Sequence, residues 1–199
     1  MSIAAERLHA LLERPTTSRE EVASWLDGLS SSNRLDAMRA CGGTPLQRRL
    51  YELAAGAAPV SIDEIVPPDL PPLREVIYHG KNSLPAFTLF QKRFCRPAPG
   101  AAERVLWGYN HTNIGWLVGP GYFVCHAVDG PGAAVDYREV PPAHPPSWPE
   151  IKPNHRGASF FVYRDMVDYL RRVSRHVLIG SAHRHGKELG NYFLLCRES

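Results

Sequence analysis

Apolar positions in the first third of the chain recur at helical spacing. Ile3, Leu8, Leu11 and Leu12 make a short stripe that Pro15 ends. Ser18-Arg19-Glu20-Glu21 reads as a capping box, with Val22, Trp25, Leu26 and Leu29 behind it. Leu35, Met38 and Cys41 continue the pattern until Gly42-Gly43. Thr44 then offers an N-cap, Pro45 a first helical residue and Gln47 the third residue after the cap, and Leu46, Leu50, Leu53 and Ala54 follow on one face. This spacing predicts three or four short helices within residues 1–57. Their stripes are too small for a core of their own, so the segment should pack on the rest of the chain. Residues 58–72, APVSIDEIVPPDLPP, form a proline-rich connector.

Beyond the connector the pattern shortens toward a period of two. REVIYH, AFTLFQKRF, ERVLWGYN, GYFVCHAV, AAVDYREV, ASFFVY, HVLIGSAH and NYFLLCRE are short and rich in β-branched and aromatic residues. Asp129-Gly130-Pro131-Gly132 and the run from His185 to Gly190 supply turn chemistry between neighbours. Residues 141–157 are a long proline-loaded loop, placed near one mouth of the sheet. Residues 164–173 fit a helix through Met166, Val167, Tyr169, Leu170 and Val173, and a strand through Val167, Tyr169, Arg171 and Val173. The close spacing of neighbouring strands favours a strand there. About nine strands with short connections roll into a barrel or close as two layers.

Composition narrows the function. The chain has 199 residues, 44% hydrophobic and 22% charged, as a globular protein does. No apolar run approaches the ~20 residues of a membrane-spanning helix. Basic residues concentrate at the end: residues 151–199 hold nine against four acidic ones, including Arg164, Arg171, Arg172, Arg175, Arg184, Lys187 and Arg197. These are spread over several strands rather than set in a stripe with stacking aromatics, which argues against a nucleic-acid partner. The plainer reading is a solvated face; the sharper one turns an arginine such as Arg171 inward to hold an anionic ligand group. Cys41, Cys95, Cys125 and Cys196 have neither zinc-finger nor redox spacing and read as reduced thiols. With no export-signal core in MSIAAERLHALLERP, they point to the cytoplasm.

The run SFFVYRDMVDYLRRVSRHVLIGSAHRHGKELGNYFLLCRE resembles the closing strands of lipocalin-like and fatty-acid-binding-protein-like (calycin) barrels. It is most similar to a group of bacterial barrel proteins of unknown function associated with a GXWXG motif. Gly180, the run from Tyr192 to Arg197, and the aromatic-then-basic stretch from Phe87 to Phe94 carry the likeness. The motif itself is absent, since Ser83-Leu84-Pro85-Ala86-Phe87 stands in its place. The resemblance covers residues 73–199 and implies an α+β fold: an N-terminal helical segment followed by an antiparallel, calycin-like β-barrel. It transfers no catalytic residue.

A barrel of this size has room for side chains or one small ligand. Tyr109, Asn110, His111, Thr112, Asn113 and Trp116 are the densest polar-aromatic cluster, against the plainer reading of an ordinary strand end. The expectation is that Phe90, Trp107, Tyr109, Trp116, Tyr122 and His126 line one cavity, with Arg171 as a polar contact, while Leu106, Phe123 and Cys125 pack outward. A histidine on an apolar strand, such as His126, is more often a satisfied wall residue. His183 and His185 share a strand face at metal-binding spacing, but no third ligand is assignable, so no metal or other cofactor is expected. Gly119-Pro120-Gly121 opens a strand and is no phosphate loop. Ser159, Ser174 and Ser181 lack a nucleophile elbow, and His126 or Asp136 would be the acid–base groups of a cavity enzyme.

Three functions remain open. The first is binding of a small, largely apolar, lipid-like ligand. The second is isomerase- or hydrolase-like chemistry in the same cavity, and the third is a ligand-free interaction module. A cavity with a perturbed titratable group favours the enzyme, a cavity without one the carrier, and no cavity the module. Trp107 and His126 outside, or an interior solid with side chains, would overturn the carrier reading built on them and move the module to first place. The sequence does not indicate an oligomeric state.

Overall fold

The computed structural model describes residues 2–85, 88–101, 104–112, 119–130, 132–152, 154 and 163–198. Four helices come first: α1 (Ile3–Glu13), α2 (Arg19–Asp27), α3 (Ser31–Ala40) and α4 (Thr44–Leu53), the last running into a 3-10 turn at Ala54–Gly56. Ser2, Ser18 and Ser30 cap the first three, accepting the backbone N–H of Ala5, Glu21 and Asn33. Thr44 is the first helical residue rather than the cap; that place goes to Gly43, whose φ of 83° suits glycine. Ile3 is exposed, and the buried stripe of α1 is Ala5, Leu8, Leu11 and Leu12. The buried Arg34 guanidinium donates to the carbonyls of Leu26 and Leu29, joining α3 to the end of α2.

Eight strands follow: β1 (Val76–Asn82), β2 (Leu89–Cys95), β3 (Val105–His111), β4 (Tyr122–Val128), β5 (Gly132–Asp136), β6 (Met166–Arg172), β7 (Val177–Arg184) and β8 (Lys187–Arg197). Each pairs antiparallel with the next, and β8 pairs back onto β1, so the sheet closes into an up-and-down barrel. The fold is α+β with the helical segment first. Within residues 164–173, Met166–Arg172 form a strand, β6, while 158–162 of another expected strand lie outside the described residues.

Alternate residues of each strand face inward. Tyr78, Phe94, Leu106, Phe123, Cys125, Val135, Leu170, Leu178, Phe193 and Leu195 meet in one core across the barrel. Three inward phenylalanines lie over glycines directly opposite on the neighbouring strand: Phe90 over Gly80, Phe123 over Gly108 and Phe193 over Gly180. A Cβ at Gly180 would stand 2.1 Å from the Phe193 ring, and one at Gly108 2.3 Å from the Phe123 ring. Each missing side chain on one strand is thus the space for a ring from the next.

The connector closes one end of this barrel. Within it, α5 (Ile62–Ile65) carries a capping box of Ser61 and Glu64, and Val60, Ile62, Ile65 and Val66 join the barrel core. Arginines from three strand ends hold the plug. Arg96 donates to the carbonyls of Val66 and Pro67 and to Asp63, Arg172 pairs with Glu64, and Arg197 reaches the Glu64 carbonyl.

Two outer layers complete the wall. Residues of α1, α2, α3 and α4, among them Leu8, Leu26, Met38 and Leu50, share a core with Val177, Ile179, Tyr192, Leu194 and Cys196 on the outside of β7 and β8. Gln47 ties this layer to the sheet, its amide donating to the carbonyls of Cys41 and Lys81. The long loop was expected near the mouth. Its described part packs on the outer wall, where Trp148 meets Tyr109 and Tyr122, the Tyr122 hydroxyl donates to the Pro149 carbonyl, and the Asn154 amide donates to the carbonyls of Tyr122 and Tyr137.

Candidate functional site

The barrel end opposite the plug, where β1 finishes and β2 begins, holds a cavity of about 460 Å³. Its apolar lining includes Phe90, Met166, Ala182 and Phe193. Leu84 and Leu189, two of the four exposed large hydrophobics among the described residues, also line it. A roomier groove of about 630 Å³ runs along the outside near Leu73, Val76 and Arg197, but it reaches none of the buried polar chemistry.

That chemistry sits at the inner end of the cavity. Lys92 is the middle inward residue of β2, with Phe90 and Phe94 two positions to either side, and Asn110 of β3 stands directly across from it. Asp168 is the inward residue of β6 between Met166 and Leu170, and Tyr137 follows β5. Lys92 is 1% exposed and Asp168 3%. The ammonium donates to Asn110 Oδ1 at 3.2 Å, to the Tyr137 hydroxyl at 2.5 Å and to Asp168 Oδ2 at 3.3 Å. Tyr137 in turn donates to Asp168 at 3.1 Å and accepts from the Asn110 amide at 2.8 Å. The rings of Phe123, Phe193 and Tyr137 lie 4.9, 4.9 and 5.0 Å from Nζ, with Phe90 at 5.9 Å.

Burial pushes the Lys92 ammonium below the ordinary lysine range, with Asp168 pulling the other way. Burial likewise raises Asp168, against the pull of Lys92 and Tyr137. Tyr137 is driven well above the usual phenol range by burial and then by the Asp168 charge, and burial raises Tyr163 to about 12. The ionised pair carries no net charge, and both members are biased toward neutrality. The cluster therefore presents matched proton donors and acceptors to a group entering the cavity, with little net field.

The expected lining is corrected at most positions. Phe90 does line the cavity. Trp107, Tyr109 and Tyr122 face outward under the long loop and form a separate core with Trp148 and Cys95. His126 also faces outward, its Nε2 3.2 Å from Glu139, so the carrier reading as built on Trp107 and His126 fails, and any ligand reading must rest on the cavity lined by the opposite strand faces. Leu106, Phe123 and Cys125, expected outside, are inside. Both faces of β3 and β4 are buried, one by the barrel and one by the loop, so alternation alone did not separate them. Arg171 lies on the outer wall, stacked 3.8 Å over Tyr51 and donating to its carbonyl. Asp136 is outside as well, held by Arg138. Trp116, Asn113 and Ser159 lie outside the described residues.

The remaining candidates are absorbed by the wall. Ser181 is fully buried, donating to the Tyr51 hydroxyl and 2.9 Å from His183 Nε2, so it joins the helix layer to β7. His183 packs against Tyr169, while His185 lies in the turn near Asp165. All four cysteines are free and buried, and burial raises the thiols of Cys41, Cys95 and Cys125 to about 12 and that of Cys196 to about 11.

Sequence reasoning passed over Lys92, Tyr137 and Asp168. The available signal was a charged residue on an otherwise apolar alternating face: Phe-Gln-Lys-Arg-Phe in β2 and Met-Val-Asp-Tyr-Leu in β6. Fold and cavity together define a closed up-and-down β-barrel, plugged at one end and open to a small-molecule-sized space at the other. No family model, curated protein or solved structure matches the chain.

Proposed function

We propose that this protein binds a small, largely apolar molecule in the barrel cavity, with the ligand's polar end against Lys92, Asn110, Tyr137 and Asp168. The observation that carries the reading is the pairing of an apolar cavity of about 460 Å³ with a buried, net-neutral polar cluster at its inner end. A lipid-like ligand fits a barrel of this kind, and the apolar rim at Leu84 and Leu189 suits entry of such a molecule. Burying ~300 Å² of ligand at about 25 cal/mol/Å² contributes roughly 7 kcal/mol before association costs, which suits micromolar binding when those costs are small. Four unpaired buried cysteines fit a reducing compartment, and the cytoplasm is our proposed location.

Binding of Nile red, a neutral environment-sensitive dye, tests this. Ala182 is 8% exposed and lines the cavity, so Ala182→Trp should fill it and abolish the fluorescence gain. Trp107→Phe, on the far side of the wall, should leave binding unchanged. Equal binding by Ala182→Trp and the parent protein would refute the assignment.

A second reading draws on the same cluster. Burial shifts both members of the ion pair toward neutrality, which also suits proton transfer on a bound ligand. Lys92, Tyr137 and Asp168 would then be the proton-transfer groups, in the places first assigned to His126 and Asp136.

A further inference from the structure

We propose that Lys92 captures a carbonyl-bearing ligand, an aldehyde or ketone with an apolar body, by forming an imine through Nζ at the inner end of the cavity. The inference rests on the cavity-binding reading and adds the chemical class of the ligand and the atom it joins.

The first support is charge. At the inner end an anionic headgroup would meet an ammonium already matched by the Asp168 carboxylate 3.3 Å away, while Arg184, the other cation of the lining, stands nearer the mouth opposite Met166. The headgroup would gain little attraction there and lose its hydration. A neutral carbonyl loses far less water, and its oxygen can accept from the hydrogens of this cluster.

The second support is the position of the amine. The chain has four lysines, Lys81, Lys92, Lys152 and Lys187. Lys152 and Lys187 are exposed and Lys81 is half-buried at the barrel surface, whereas Lys92 alone lines the cavity, ringed by aromatic faces. An amine of this kind loses its proton more easily, and only the free amine attacks a carbonyl.

The third support is the pair of groups beside it. The proton leaving Nζ passes to Asp168 Oδ2, and the amine lone pair forms the C–N bond as the carbonyl π-bond breaks toward oxygen. That oxygen takes a proton from the Tyr137 hydroxyl, which is resupplied by Asp168 through their 3.1 Å hydrogen bond. The carbinolamine nitrogen gives up a second proton by the same route, and the C–O bond breaks with release of water as the C=N bond forms. Overall, one ammonium and one carbonyl give one protonated imine and one water, with no change in oxidation state. The iminium charge stays beside the Asp168 carboxylate, and the aromatic rings shield it from hydrolysis.

The experiment uses the full-length protein, cinnamaldehyde and sodium cyanoborohydride, with intact mass and peptide mapping as readouts. A reduced adduct should appear on Lys92 roughly tenfold ahead of Lys81, Lys152 and Lys187. Before reduction, the protonated imine should absorb at longer wavelength than the free aldehyde. Lys92→Arg keeps a cation beside Asp168 but has no amine, so it should lose the adduct, whereas Trp107→Phe on the outer wall should keep it. Asp168→Asn leaves the amine free but removes the Tyr137–Asp168 relay that protonates the departing oxygen, so the reduced adduct should form more slowly. If cinnamaldehyde displaces Nile red but labels Lys92 no faster than the exposed lysines, the imine is wrong and the binding reading stands. If the parent protein takes up neither dye nor aldehyde, both fall.

Discussion

Lys92 and Asp168 lie within one hydrogen-bond network, and removing either leaves the other with opposite consequences for stability. Losing one partner of a buried pair costs about 3–5 kcal/mol, because the survivor keeps its desolvation without its counter-charge. In Lys92→Met, Asp168 is held protonated in the folded barrel but ionises in the unfolded chain. The folded state then binds more protons, and stability falls as pH rises above the ordinary carboxylate range, by about 1.4 kcal/mol per unit until the folded-state carboxyl also ionises. In Asp168→Asn, Lys92 is held neutral while the unfolded chain protonates. Stability then rises with pH toward the ordinary lysine range, with the same limiting slope. Urea titrations of both variants across pH should show slopes of opposite sign; parallel profiles would mean that the pair is not coupled as described. The two residues were legible in principle, since a lysine between two phenylalanines and an aspartate between methionine and leucine at alternating positions are buried charges unless the strand is turned over. Neither acquires meaning until the barrel closes, because β2 and β6 are not neighbours and only the shared interior joins them.

At the scale of elements, the helices and strands were readable because their signals are local: serine caps, glycine stops, and alternation bounded by turn residues. The roles of the two proline-rich segments were not. The connector read as a spacer, yet Val60, Ile62, Ile65 and Val66 plug the barrel through α5. The long loop read as a mouth element, yet Trp148 sits on the outer wall, 4% exposed, with its indole N–H donating to Glu75. In both segments proline stops repeating backbone hydrogen bonds, so the apolar residues bury through tertiary contact without periodicity. Trp148→Ala should therefore destabilise by about 3–5 kcal/mol, as large aromatic deletions do. It should also release the loop to proteolysis near Pro145 while leaving Nile red binding intact. A loss of dye binding together with retained stability would assign the loop to the site instead.

For the whole molecule, the helical segment and the barrel are best regarded as sharing one of three cores. Leu8, Leu26, Met38 and Leu50 have their apolar partners on β7 and β8, notably Val177, Ile179 and Leu194, and each of these side chains is 2% exposed or less. Hydrogen bonds cross the same seam. Tyr51 receives the Ser181 hydroxyl and the Arg171 guanidinium, Gln47 reaches the Lys81 carbonyl, and Asp27 accepts the Arg175 N–H. None of these contacts depends on the inward faces that build the cavity, so the helices support the wall from behind and leave the mouth to the strands. Residues 1–58 alone would expose most of their buried stripe, and their net charge of zero offers no compensating solvation. Expressed as a fragment, they should melt without a cooperative transition. Residues 59–199 alone should self-associate through the uncovered face of β7 and β8, and adding the helical fragment should restore a monomer with Nile red binding. A sharp thermal transition in the helical fragment would instead make it a domain in its own right, with the seam a docking contact between two finished folds.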